Sequence, residues 1–115
     1  MVFAGVYAII VGLGMIGQWA MSYLTGQIPE LETEPLRIRF HIAGEMVTAV
    51  ALIVGGIGVL AGQAWSQPVH FIAMGMLMYT AIVSPGYFAQ KGQWPLVTMF
   101  AGVLVLAFVS IGLVF

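Results

Sequence analysis

Polar residues are so sparse along this chain that four apolar stretches take up nearly all of it: Val2 to Leu24, Leu36 to Ala61, Val69 to Ala89 and Pro95 to Phe115. A helix needs about 20 mostly apolar residues to cross a bilayer, and each stretch meets that length. The strands of a membrane barrel are about 10 residues long and alternate apolar with polar. These stretches are longer and apolar on every face. Backbone in lipid must satisfy its own hydrogen bonds, so the pattern predicts an all-α integral membrane protein. We expect one transmembrane domain over residues 1–115, a four-helix bundle running up-down-up-down. Its spans lie at about 2–24, 36–61, 69–89 and 95–115.

The connections are short, which makes sequential helices antiparallel neighbours. The first runs from Thr25 to Pro35, the second from Gly62 to Pro68 and the third from Gln90 to Gln93. Pro35, Pro68 and Pro95 suit the first turn of a helix, where a missing N–H costs little. Pro85-Gly86 falls inside the third span, so that helix is expected to break or kink there. Trp19, Tyr23, Trp65 and Trp94 sit near span ends, as interfacial aromatics do.

Composition narrows the function classes. Hydrophobic residues make up 62% of the chain and charged residues 6%, far below the roughly 25% of a soluble domain. There is no cysteine, hence no disulfide, thiolate metal site or thiol nucleophile. A net charge of −1 gives no case for nucleic acid. The N-terminal stretch has no Lys or Arg before its apolar run and reads as a retained helix, not a signal peptide. Arg37 and Arg39 flank the first connection and Lys91 lies in the third, while the opposite end carries no Lys or Arg. Basic residues collect on the cytoplasmic side, which puts both termini on the other side. Glu30, Glu32 and Glu34 are expected to pair loosely with the two arginines.

Glycine-bearing motifs read as packing. Gly12-Leu-Gly14-Met-Ile-Gly17 fits the G-x-G-x-x-G dinucleotide pattern, but that pattern has meaning only between a strand and a helix. Inside a spanning helix it reads as small residues for close contact, as does Gly58-x-x-x-Gly62.

The candidate chemistry gathers at the basic end. In the second span Arg37, His41, Glu45 and Thr48 follow one another at spacings of four, four and three, on one helix face. Glu45 is the only acidic residue within any span, and helix rise places it about 9 Å deeper than Arg39. The third span brings Tyr79, Thr80, Ser84 and Tyr87 to that depth, the first adds Gln18 and Ser22, and the fourth adds Thr98. The opposite half has little beyond His70 and Ser110. This asymmetry predicts an inward-facing polar pocket walled by all four helices, binding a ligand or a proton through His41, Glu45, Arg37, Thr48, Ser84, Tyr87, Tyr79 and Gln18. Ionisable residues in a membrane are functional by default, although a His–Glu pair also serves as interhelical glue.

His70, Met74 and Met78 recur every four residues. Imidazole and thioether can hold Cu(I), but methionine is an ordinary filler of apolar gaps, and no cofactor is expected. His41 and His70 lie near opposite faces, roughly 25–30 Å apart by helix rise, too far to share one haem iron within a subunit, which leaves haem only as a group shared between subunits through two copies of His41, ranked below the other readings. In size and helix count the chain resembles the small multidrug transporters. Those carry an essential glutamate in their first helix; helix 1 here has no acidic residue, so no transport residue carries over.

The leading expectation is binding of a small molecule at His41 and Glu45, with proton-coupled transport as its extension. The alternative is a non-catalytic membrane subunit that packs against a larger partner. No nucleophile–base–orienter set can be named, so an embedded enzyme ranks below both. The expected partners are the lipid bilayer, a small-molecule ligand, and a second copy of the chain or a larger membrane complex.

Overall fold

The computed structural model describes residues 2–26 and 28–115; Gln27, within the expected first connection, and Met1 lie outside them. Five helices follow in order: α1 (Val2–Leu24), α2 (Glu30–Thr33), α3 (Pro35–Leu60), α4 (Ser66–Gln90) and α5 (Trp94–Val114). No strand occurs among the described residues. The four long helices are each long and apolar enough to cross a membrane, and they match the four expected spans within three residues at every end. The molecule is 44 Å along its longest axis, close to the roughly 40–45 Å of a bilayer with its headgroups.

α1 packs on α3, α3 on α4, α4 on α5, and α5 touches α1 more lightly. Neighbours run antiparallel. Gly5, near the start of α1, lies against Gly56 and Leu60 near the end of α3. Gln67 at the start of α4 donates to the carbonyls of Val114 (3.2 Å) and Phe115 (3.4 Å) at the end of α5. One end of the bundle therefore holds both termini and the Gly62 turn. The other holds α2, the Gly92 turn, and Arg37, Arg39 and Lys91.

α3 is a central element, packing on α1 with one face and on α4 with another. Toward α1 it presents Ala49, Leu52 and Gly56; toward α4 it presents Glu45, Thr48 and Gly55. Small residues let the backbones approach. A Cβ on Gly56 would stand 2.6 Å from the Gly5 carbonyl oxygen, and one on Gly12 would stand 2.8 Å from that of Ala49. Above this seam Tyr7, Ala8, Leu52, Ala73, Met74, Leu77 and Ala107 fill the common core. Tyr7 Oη donates to the Val103 carbonyl of α5 at 2.7 Å, closing the ring of helices on the side where α1 meets α5.

Three sequence expectations need correction. α4 does not break at Pro85 but continues to Gln90. Proline removes a single helical donor, and a membrane helix with neighbours tolerates that loss. Gly14 and Gly17 meet nothing within 4 Å, so only Gly12 of the G-x-G-x-x-G run makes a close contact. Gly62 is not a packing residue. It lies at φ +68° as the left-handed cap of α3, with Gly62 N–H bonded to Val59 O (3.2 Å) and Gln63 N–H to Gly58 O (3.0 Å), the paired bonds of a Schellman cap. Gly92 ends α4 the same way.

α2 was not expected within the first connection. Ile28 is buried and Leu31 half-buried, so this turn is tied back to the bundle by apolar contact. Glu30 and Glu32 occupy its first turn, where negative charge suits the helix dipole.

The seam yields a contrast. Gly56→Ala should lower stability by about 1–3 kcal/mol, the usual cost of overpacking, because the obstructing atom is backbone. Gly14→Ala should stay within about 0.5 kcal/mol of wild type. Thermal unfolding of the two variants in the same detergent checks both.

Candidate functional site

The α3–α4 register decides which polar residues meet. Gly55 lies against the backbone of His70. Moving ten residues along each helix from that contact, toward the basic end, leads to Glu45 and Thr80. Thr80 Oγ1 donates to Glu45 Oε1 at 3.1 Å, and both residues are buried. One turn away on α3, His41 Nε2 stands 3.6 Å from the same oxygen, within ion-pair range but too long for a hydrogen bond. His41 is 39% exposed at its side chain against 7% for Glu45. The ring of Trp19, from α1, meets His41 edge-on at 5.7 Å between centroids. Glu45 Oε2 has no hydrogen-bond partner among the described residues, yet it is not sealed from its surroundings.

These groups form the floor of a groove of about 620 Å³, within the usual size of a small-molecule site. Phe40, His41, Gly44, Glu45 and Thr48 line it from α3; Ile72, Gly75, Met76, Tyr79, Thr80 and Val83 line it from α4. Neither α1 nor α5 contributes. Phe40, Ile72 and Tyr79 are highly exposed, so the groove opens sideways, on the bundle surface that faces lipid in a membrane. Thr48 spends its hydroxyl on the Gly44 carbonyl of its own helix, at 2.8 Å.

The pocket walled by four helices is therefore corrected to a groove between two. Of the expected residues, the structure brings together His41, Glu45, Thr48 and Tyr79. It leaves out Arg37, Ser84, Tyr87 and Gln18. Arg37 donates to Glu34 Oε2 at 2.6 Å; both are exposed, and the hydrogen bond and charge of Arg37 hold the Glu34 carboxyl below the usual carboxylate range. Tyr87 accepts from Lys91 Nζ at 2.6 Å, and that ammonium also lies 4.2 Å from the Tyr87 ring centroid. Ser84 is half-buried and makes no side-chain hydrogen bond, and Gln18 is exposed. Thr98 turns its hydroxyl to the Trp94 carbonyl of its own helix. The physical reason is register: Ser84 stands opposite His41, one turn from the carboxylate, and the groove is lined by α3 and α4 alone.

His70 and Ser110, in the opposite half, meet each other. His70 Nε2 lies 2.9 Å from Ser110 Oγ, with both side chains fully buried, and His70 Nδ1 has no partner. Met74 lies in the packed core and Met78 at its edge. His70 thus acts here as an interhelical clasp between α4 and α5. Among the described residues no group of three or more His, Asp or Glu side chains is placed to hold a metal.

With the fold and the groove described, comparison with known proteins identifies the lineage. The chain belongs to the DUF8058 family. The family model, described as a domain of unknown function, matches residues 1–115, the whole chain. No curated protein and no solved structure matches it.

Sequence reasoning had Thr80 at the right depth without its bond to Glu45. Antiparallel pairing of α3 and α4 outward from their short turn carries the signal for it. Tyr7 carried no signal, since a tyrosine near a span end reads as an interfacial aromatic.

Thr80→Val keeps the side-chain shape and removes the donor to Glu45. It should cost about 0.6–1.7 kcal/mol, the measured range for interhelical polar bonds in a membrane protein. Arg37→Gln, which breaks only an exposed pair, should change stability by less than about 1 kcal/mol. Chemical unfolding in mixed micelles compares the two.

Proposed function

We propose that the chain binds a small lipid-soluble molecule in the α3–α4 groove, with Glu45 Oε2 accepting a hydrogen bond from the ligand's polar head. The observation that carries this reading is a buried carboxylate with one oxygen uncommitted, at the floor of a groove open toward lipid. An acidic side chain at bilayer depth costs about 2.5–3.5 kcal/mol on insertion scales. The single interhelical bond from Thr80 returns about 0.6 kcal/mol on average. Packing alone therefore leaves most of that cost without compensation. Apolar walls from Phe40, Ile72, Met76 and Val83 suit a molecule that partitions into the bilayer.

His41 extends the reading to proton coupling. Imidazole can carry a proton on either ring nitrogen, and His41, 39% exposed at its side chain, stands 3.6 Å from the Glu45 carboxylate. It is placed to pass a proton between water at the basic end and Glu45, which supports proton-coupled movement of the ligand. The clustering of Arg37, Arg39 and Lys91 at that end supports its being the cytoplasmic side, with both termini opposite.

A second reading, a membrane subunit in a homodimer or a larger complex, has support in Gly44, Gly75, Gly102 and Gly112. All four lie within spans and meet nothing within 4 Å, and open small residues are what a further helix would pack against.

Glu45→Gln separates the two. For a binding site, it should weaken retention about 10- to 100-fold, the worth of a hydrogen bond to a charged group, while helicity and melting are preserved. Native mass spectrometry of protein released gently from its own membrane reads the retained mass directly. An equal mass of ligand on the wild type and the variant would sink the binding reading. Loss of a protein partner in the variant, with no small molecule on either form, would favour the subunit reading.

A further inference from the structure

The two arginines of α3 are not equivalent, and their difference points to a second site. They lie two residues apart, about 200° around the helix. Arg37 is engaged by Glu34. Arg39 has no carboxylate within ion-pair distance among the described residues: the ion pairs formed there are Arg37–Glu34 and His41–Glu45, and Glu30 and Glu32 on α2 form none. Arg39 lines a slot of about 400 Å³ together with Tyr23, Leu31 and Ile42. The end of α1, the short α2 and the first turns of α3 enclose it. None of these four residues lines the Glu45 groove.

We propose that this slot holds the phosphate of an anionic phospholipid. The guanidinium fork matches phosphate oxygens in pairs, and the Tyr23 hydroxyl is a second donor, with no hydrogen-bond partner among the described residues. Leu31 and Ile42 provide apolar surface for the start of an acyl chain. The slot lies at the end of the bundle, where headgroups meet a spanning helix, and basic pockets between helices at that level hold anionic headgroups. α2 supplies one wall, so a bound lipid would fix the first connection against α3. The proposal stands independently of what occupies the Glu45 groove.

The test uses the full chain in vesicles of equal parts phosphatidylcholine and phosphatidylglycerol. After gentle extraction, native mass spectrometry measures the ratio of the two lipids retained. Wild type should favour phosphatidylglycerol, and Arg39→Gln should lower that preference about fivefold, the worth of one basic residue at an anionic surface. Arg37→Gln should leave it unchanged. An unchanged ratio in Arg39→Gln, or an equal fall in Arg37→Gln, overturns the site. Displacement of the lipid by inorganic phosphate would support the phosphate chemistry and overturn the lipid as its source. Both arginines are exposed, and circular dichroism confirms that the variants keep their helices.

Discussion

Helices in a bilayer gain little by hiding apolar side chains from one another, because lipid tails are equally apolar. What remains is close packing and the occasional polar bond. In this chain the close packing runs through the narrow faces of α3. Its Gly56 lets the α1 backbone approach on one side, and its Gly55 lets α4 approach on the other. Those contacts set the register, and the register sets the site. If α3 and α4 slid by a single turn, Glu45 would face Met76 or Ser84 instead of Thr80. The carboxylate is placed by glycines ten residues away along the same helix.

The fold was almost wholly legible because a bilayer restricts what a backbone can do. Span length, proline positions and short turns left one architecture. The site was legible only along α3, where a regular spacing puts His41, Glu45 and Thr48 on one face. Which residues of the other helices joined them depended on the distances between helices, which no single-helix pattern records. Gln18 and Thr98 share the depth of the site but not its side of the bundle. Arg37 shares its helix face with His41 yet turns back to Glu34 at the water-exposed end. Pro85 misled for a related reason: the residue's local preference was clear, but neighbouring helices hold α4 together across it.

Polar residues in this molecule settle in several ways. His70 and Ser110 settle with each other inside the core, and Thr48, Thr98 and Ser66 settle with carbonyls of their own turns. Arg37 and Glu34 settle in water. Glu45 and Arg39, of opposite charge and on different faces of α3, each have capacity left over.

The helices differ in length. α3 has 26 residues and α5 has 21, about 39 and 32 Å by helix rise, beside a hydrocarbon layer of roughly 30 Å. α5 is close to that thickness, while α3 exceeds it and must lean or protrude. The Schellman cap at Gly62 ends α3 sharply at one face, so any excess is carried at the other, on the turns that bear Arg37 and Arg39. Bilayer thickness thereby becomes a variable of the site. A thinner membrane would bring the water boundary down toward His41, and a thicker one would draw Arg39 inward. The hydration of the groove around Glu45 would follow the lipid in which the protein sits.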